Sequence, residues 1–118
     1  MDAVYEIEPG SNTVIVTLRG ELDAHDAPRL RELLATAVEE LAAEPRRDER
    51  RLVLDLTSVA FLDSTALGTL IGALRRVREA GGEMRIILPE TPARRIFDIT
   101  GLEPVLDVYR TRDDALGL

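Results

Sequence analysis

The alternation of apolar and polar positions at the start of the chain predicts two β-strands. Val4–Glu8 alternates, and Thr13–Leu18 is rich in the β-branched residues that favour strands. Between them, the segment Glu8–Ser11 places proline and glycine for a tight turn. These features predict an antiparallel hairpin, and a loop follows over Gly20–Asp26.

Apolar residues at three- and four-residue spacing predict a first helix over Ala27–Ala43. Asp26 or Asp23 would cap its start, and Pro28 is tolerated in the first turn. The charged segment Glu44–Arg50 is interpreted as a solvated connection. The residues predicted to share the buried face of the helix are Leu30, Leu33, Leu34, Ala37, Val38 and Leu41.

The second half of the chain alternates strands and helices. Leu52–Leu56 is a nearly continuous apolar run, typical of a strand covered on both faces. Thr57–Asp63 is predicted to connect this strand to a helix over Ser64–Ala80, which Gly81-Gly82 ends. The remaining predicted elements are a strand over Met84–Leu88, a helix from Thr91 or Pro92 to Ile99 ended by Gly101, a strand over Val105–Tyr109 and a helical turn over Arg112–Leu116.

The order ββαβαβαβα predicts an α/β fold, because strands joined through helical crossovers pair in parallel. We expect a small mixed β-sheet with an antiparallel N-terminal hairpin, mainly parallel remaining strands, and helices packed on it. A length of 118 residues suits a single domain over 1–118.

The amino-acid composition argues against several classes of function. The 15 basic residues, all arginine, are outnumbered by 22 acidic ones, and a net charge of −7 disfavours nucleic acid and anionic membranes. Cysteine is absent and His25 is the only histidine, so we expect no metal site and no cofactor. No apolar run is long enough to span a membrane, and the N-terminus lacks signal-peptide features. A cytoplasmic location is expected.

Ser64, at the entrance of the second long helix, is the most informative candidate site. One interpretation is that its hydroxyl caps the helix. Against this, Leu67 stands where a capping box would have Glu or Gln. The other interpretation is a hydroxyl available for chemistry. The chain has no phosphate-binding loop, dinucleotide fingerprint or Gly-x-Ser-x-Gly elbow. The sequence therefore favours a binding role over an enzymatic one, with no catalytic residues.

Small side chains extend from this serine along the helix. Ser64, Gly68 and Gly72 fall at i, i+4 and i+8, and Thr65 and Thr69 lie beside them. Two explanations stay open: close packing against another element of the same domain, or a smooth docking surface for another protein. The core face of the same helix is predicted to consist of Leu67, Leu70, Ile71, Leu74 and Val77.

A phosphate on Ser64 would meet opposing electrostatic effects. The helix N-terminus attracts it, whereas Asp63 repels it, and so does Asp23 if the first loop lies at the same sheet end. The nearest arginine along the helix, Arg75, is roughly 16 Å away. We therefore expect the phosphate to stay outward and to act by repelling a partner or by spoiling its fit.

Four segments of the chain resemble the STAS-domain family, specifically the stand-alone bacterial anti-sigma factor antagonists. Gly20–Ala27 is similar to the family's first loop, and Leu54–Gly68 contains its Asp-Ser-Thr-Ala-Leu-Gly motif. Gly81-Gly82 and Ala93–Leu102 also fit. Ala66 departs from the glycine of many members, but alanine is a tolerated variant and a good helix former, so the departure bears on the fit to a kinase rather than on Ser64.

This resemblance implies a partner-switching protein that regulates transcription. The unphosphorylated form would bind an anti-sigma factor that is also a serine kinase, and so release the sigma factor. The kinase would phosphorylate Ser64, and a PP2C-type phosphatase would reset the switch. Partner contacts are expected at Asp23, Asp63, Ser64, Thr65, Gly68 and Gly72. The alternative is a STAS scaffold without the switch, or an accessory subunit of a signalling or transport complex.

Overall fold

A computed structural model describes residues 1–7, 12–46, 49–101 and 106–118. The predicted turn over Glu8–Ser11 and the predicted start of the last strand at Val105 lie outside these ranges. The observed elements are β1 (Asp2–Ile7), β2 (Thr13–Leu22), α1 (Ala27–Ala42), β3 (Arg51–Leu62), α2 (Ser64–Glu79), β4 (Glu83–Ile87), α3 (Pro92–Ile99), β5 (Asp107–Tyr109) and α4 (Arg112–Leu116).

The five strands form one mixed sheet in the order β1-β2-β3-β4-β5. β1 and β2 are antiparallel, and every other neighbouring pair is parallel. The fold class and the order of elements predicted from the sequence are confirmed. Each crossover passes through a helix, so the carboxyl ends of β2, β3 and β4 lie at the same edge of the sheet.

Both strands that lead to the site are longer than predicted. β2 continues through Gly20 to Leu22, where a loop was expected, and β3 continues through Thr57 to Leu62, where a connection was expected. The two extensions pair with each other across register shifts, and Gly20 takes a positive φ of 95° there. The irregular pairing hides the strands from the sequence pattern, because a bulge interrupts the alternation of side chains.

The helices cover the two faces of the sheet unequally. α1, α2 and α3 bury the main core, whereas α4 covers a small cluster of Ile15, Val53 and Ile87 on the opposite face. The predicted buried face of α1 is confirmed at four positions, and Leu33 and Val38 pack at its margin. On α2 the predicted core face is likewise buried, except that Ile71 is half-buried. Gly81, with a φ of 78°, ends α2 as expected.

Arg50 ties the ends of two helices together. Its Nη1 donates to Ala80 O at 2.6 Å, its Nη2 donates to Ala42 O at 2.8 Å, and its Nε donates to Glu44 O at 2.9 Å. The last carbonyls of a helix have no partner within it, so these bonds satisfy groups that would otherwise need water. The interpretation of Glu44–Arg50 as merely solvated is therefore wrong for Arg50, and residues 47–48 lie outside the described ranges.

Replacing Arg50 by alanine should destabilise the fold by about 2 kcal/mol, since charged donors contribute more than neutral ones. Arg46→Ala is the matched control, because Arg46 is 67% exposed and, among the described residues, pairs with Glu49 alone. We expect the control to change the free energy of unfolding by less than about 0.5 kcal/mol. Urea denaturation measures both, and equal losses would contradict the clamping role of Arg50.

Asp55 is a buried carboxylate on the sheet face that α4 covers. Arg112 Nη2 donates to Asp55 Oδ2 at 3.1 Å and to Thr17 Oγ1 at 3.3 Å, while Nη1 reaches Glu6 Oε1 at 3.3 Å. Thr57 donates its N–H to Asp55 Oδ1 at 3.0 Å. Burial raises the pKa of Asp55, but the hydrogen bonds from Thr57 and Arg112 and the arginine charge outweigh it, so the pKa lies below its ordinary value.

A lowered pKa in the folded state makes the stabilisation by Asp55 dependent on pH. Its contribution is fully present above the unfolded pKa of about 3.9 and is lost as the pH falls through the folded pKa. Asp55→Asn should therefore cost roughly 1–3 kcal/mol at pH 7. The cost should begin to fall below about pH 4 and become small only below the folded pKa of Asp55. Urea denaturation across this range measures the difference, with Asp107→Asn as an exposed control. A cost independent of pH would contradict the assignment.

Candidate functional site

The sheet register places Asp23 and Asp63 side by side. Leu22 and Leu62 are the last residues of adjacent parallel strands and are register partners. Each is followed by an aspartate that leaves the same edge of the sheet. Asp63 N also donates to Leu22 O at 3.1 Å, which joins the two strand ends. The first loop therefore lies at the same end of the sheet as the Ser64 junction, which is the condition under which Asp23 was expected to be near Ser64.

Asp63 is the residue that caps α2. Its Oδ1 accepts from Ala66 N and its Oδ2 accepts from Ala24 N, both at 2.9 Å. One oxygen therefore satisfies a free amide of the helix, and the other holds the loop that follows β2. Asp63 therefore joins the start of α2 to this loop through one hydrogen bond on each oxygen.

Ser64 is the first residue of α2, and its side chain is exposed. No described residue forms a hydrogen bond with its hydroxyl. The interpretation of Ser64 as the cap is therefore wrong, because the preceding aspartate already performs that function. An uncommitted hydroxyl at a helix entrance is free to accept a phosphoryl group.

The loop between β2 and α1 is ordered by Asp23. Its Oδ1 accepts from His25 N at 2.9 Å and from Asp26 N at 3.3 Å, a turn closed by a side chain. Asp26, one of the two residues predicted to cap α1, does occupy the cap position, but its side chain forms no capping hydrogen bond. Pro28 does occupy the first turn of α1, as predicted. Asp23 is half-buried and His25 is exposed.

The two glycines of α2 face open space. Gly68 is exposed and Gly72 is half-buried, and a Cβ built on either would meet no atom within 4 Å apart from its chain neighbours and the nearby backbone of α2 itself. Close packing within the domain is therefore the wrong explanation for them. Each glycine costs the helix roughly 0.5–1 kcal/mol relative to alanine, with no internal packing that compensates. The remaining explanation is that the glycines form a smooth external surface, which continues to Ser64 and the exposed Thr65.

A shallow cleft of about 190 Å³ lies between α1 and α2, beside this surface. Thr65, Gly68 and Gly72 line it together with Arg31 and Arg76, two residues that the sequence analysis did not single out. Arg76 continues the i+4 series of Ser64, Gly68 and Gly72, so the spacing alone could have found it. Arg31 belongs to α1, and only the packing of the two helices brings it there.

The described residues include no group of three or more His, Cys, Asp or Glu side chains arranged to hold a metal ion. Within the same part of the chain, the helices are too short or too polar for any of them to span a bilayer.

Comparison with known proteins now assigns the chain to a family. The STAS domain family model matches residues 4–115. The chain belongs to the STAS domain family. Curated relatives of this STAS chain include the anti-sigma F factor antagonist of Paenibacillus polymyxa, 31% identical over 98% of this chain and 94% of the relative. The anti-sigma-B factor antagonist of Bacillus subtilis is 32% identical over 92% of both chains.

A solved STAS structure has a closely similar fold. The crystal structure of an anti-sigma factor antagonist from Mycobacterium paratuberculosis is 28% identical and superposes with a TM-score of 0.81. The alignment covers 98% of this chain and 91% of that one. The resemblance inferred from the motifs around Asp23 and Ser64 is thus confirmed at the level of the family and the fold.

Proposed function

We propose that this STAS protein is an anti-sigma factor antagonist controlled by phosphorylation of Ser64. In its unphosphorylated form it binds an anti-sigma factor that is also a serine kinase, and the sigma factor is released. The observation that carries the proposal is the uncommitted, exposed Ser64 hydroxyl beside an open glycine surface. The printed names of the curated relatives support the class of partner.

The proposed modification is a phosphoryl transfer that the partner catalyses. The Ser64 Oγ forms a bond to the γ-phosphorus of ATP, the bond to the bridging oxygen breaks, ADP leaves, and the hydroxyl proton passes to the kinase or to water. This chain contributes the acceptor and no catalytic residue. A PP2C-type phosphatase then hydrolyses the phosphoserine and restores the binding form.

The surroundings of Ser64 explain how the phosphate would end binding. Ser64 does not line the cleft between α1 and α2 that contains Arg31 and Arg76. The carboxylate next to Ser64 in the chain is that of Asp63. Asp63 repels the phosphate while the amides of the helix start attract it, so the chain itself does not neutralise the added charge. The phosphate therefore remains on the contact surface, where it costs a desolvated partner several kcal/mol. A change of about 5.5 kcal/mol in binding free energy is enough to turn a 99:1 ratio of bound to unbound chain into 1:99.

The proposal is tested with purified anti-sigma factors of the source genome, incubated one by one with the chain and ATP. Mass spectrometry should place the phosphate on Ser64, with none on Ser64→Ala and wild-type levels on Ser58→Ala, which removes an exposed serine of β3 outside the cleft. The phosphorylated chain should no longer bind the same anti-sigma factor in calorimetry. Phosphate at another residue, or binding that survives phosphorylation, would contradict the switch.

A further inference from the structure

The cleft between α1 and α2 carries positive charge on an acidic protein. The chain has a net charge of −7, yet the two charged residues that line the cleft are Arg31 and Arg76. Both are exposed, and neither forms an ion pair with a described residue. By contrast, Arg85, Arg94 and Arg112 each have a carboxylate partner. The two cleft arginines are therefore available to an anion from outside the chain.

The size of the cleft indicates what kind of anion it admits. Its volume of about 190 Å³ is below the roughly 300–1,000 Å³ of pockets that bind small molecules. A single side chain fits this volume. Thr65 and Thr69 add hydroxyls at the same wall, and Thr69 Oγ1 already donates to Thr65 O at 3.1 Å. Guanidinium groups and a hydroxyl donor match a carboxylate.

We propose that an aspartate or glutamate side chain of the anti-sigma partner enters this cleft and binds to Arg31 and Arg76. The inference rests on the proposed function and adds a second contact to it. The cleft adjoins the glycine surface through Gly68 and Gly72, so one partner surface can cover both. Charge complementarity at this point would fix the orientation in which the partner meets Ser64.

Charge reversal tests the contact. Arg31→Glu and Arg76→Glu should each weaken binding of the unmodified chain to its anti-sigma factor by about tenfold or more. Arg31→Lys and Arg76→Lys, which keep the charge, should lose less. Arg75→Glu and Arg95→Glu are matched controls, because both residues are exposed and outside the cleft. They alter the net charge equally and should change the dissociation constant by less than about threefold. Thermal denaturation verifies that all variants fold.

Variants of the anti-sigma factor provide a second test of the contact. Each acidic residue of the anti-sigma factor is changed to lysine in turn. One of these lysine variants should bind the wild-type chain more weakly and should recover binding to Arg31→Glu or Arg76→Glu. Cleft variants that bind like the controls, or controls that lose as much affinity as the cleft variants, would overturn the inference. It would also fall if Arg31→Ala shifted the pKa of phosphorylated Ser64 in phosphorus NMR, because the arginine would then serve the phosphate.

Failure of the inference and failure of the proposed function give different results. If phosphorylation of Ser64 abolishes binding but the cleft variants match their controls, only the cleft contact is wrong. If no anti-sigma factor of the source genome binds the wild-type chain, the proposed function is wrong and the cleft contact is wrong with it.

Discussion

Ser64→Asp should weaken binding to the anti-sigma factor by about 100-fold without changing the fold. The side chain at this position is exposed and makes no hydrogen bond within the described residues, so the native structure loses nothing. A carboxylate at the start of α2 is also favourable to the helix by roughly 0.3–1 kcal/mol. In the complex, the same carboxylate would lie beside Asp63 in a desolvated contact, where an unpaired charge costs several kcal/mol.

The control for this experiment is Ser58→Asp, which adds the same charge at an exposed serine of β3. Isothermal titration calorimetry gives the dissociation constants, and Ser64→Ala should bind like the wild type because it adds no charge. If Ser64→Ala loses as much affinity as Ser64→Asp, the hydroxyl itself is a contact and repulsion is not the mechanism. If both aspartate variants lose affinity equally, the effect is one of net charge alone.

The regular elements of the fold could be predicted because their sequence patterns are periodic. The buried stripe of α1 and the apolar run of β3 mark their elements directly, and the alternation with helices fixes parallel pairing. The extensions of β2 and β3 to Leu22 and Leu62 could not be predicted. Their pairing crosses register shifts, and Thr57, Ala60 and Phe61 are exposed, so no alternation remains to be read.

Within the site, local features were predictable and long-range contacts were not. The serine at the helix entrance and the line of glycines follow from spacing along one helix. The role of Asp63 does not, because its second oxygen binds Ala24, 39 residues away in the chain. The same holds for Arg31, which reaches the cleft only through the packing of α1 on α2. At α1 the sequence placed the cap at Asp26 or Asp23, and Asp26 does occupy that position, although its side chain forms no capping hydrogen bond. At α2 the cap is Asp63, a residue that the sequence analysis did not consider for this role.

The double variant Gly68→Ala, Gly72→Ala should make the protein more stable and its complex weaker. Each alanine removes a helix penalty of roughly 0.5–1 kcal/mol, and each new Cβ enters open space, so the free energy of unfolding should rise by about 1–2 kcal/mol. In the complex, the two methyl groups would hold the partner away from the helix. Overpacking costs roughly 1–3 kcal/mol per site, so binding should weaken by about 100-fold.

A gain in the free energy of unfolding together with a loss of binding affinity would show that the glycines form a docking surface and are not needed for the fold. Thr36→Ala provides the control, since it improves helix propensity at an exposed position of α1 outside the cleft. It should stabilise the protein slightly and leave the dissociation constant unchanged. A double variant that gains stability and still binds like the wild type would show that the partner does not contact the glycines. A double variant that loses stability would show that the glycines serve the fold itself, and the reason for assigning a partner to this face of α2 would disappear.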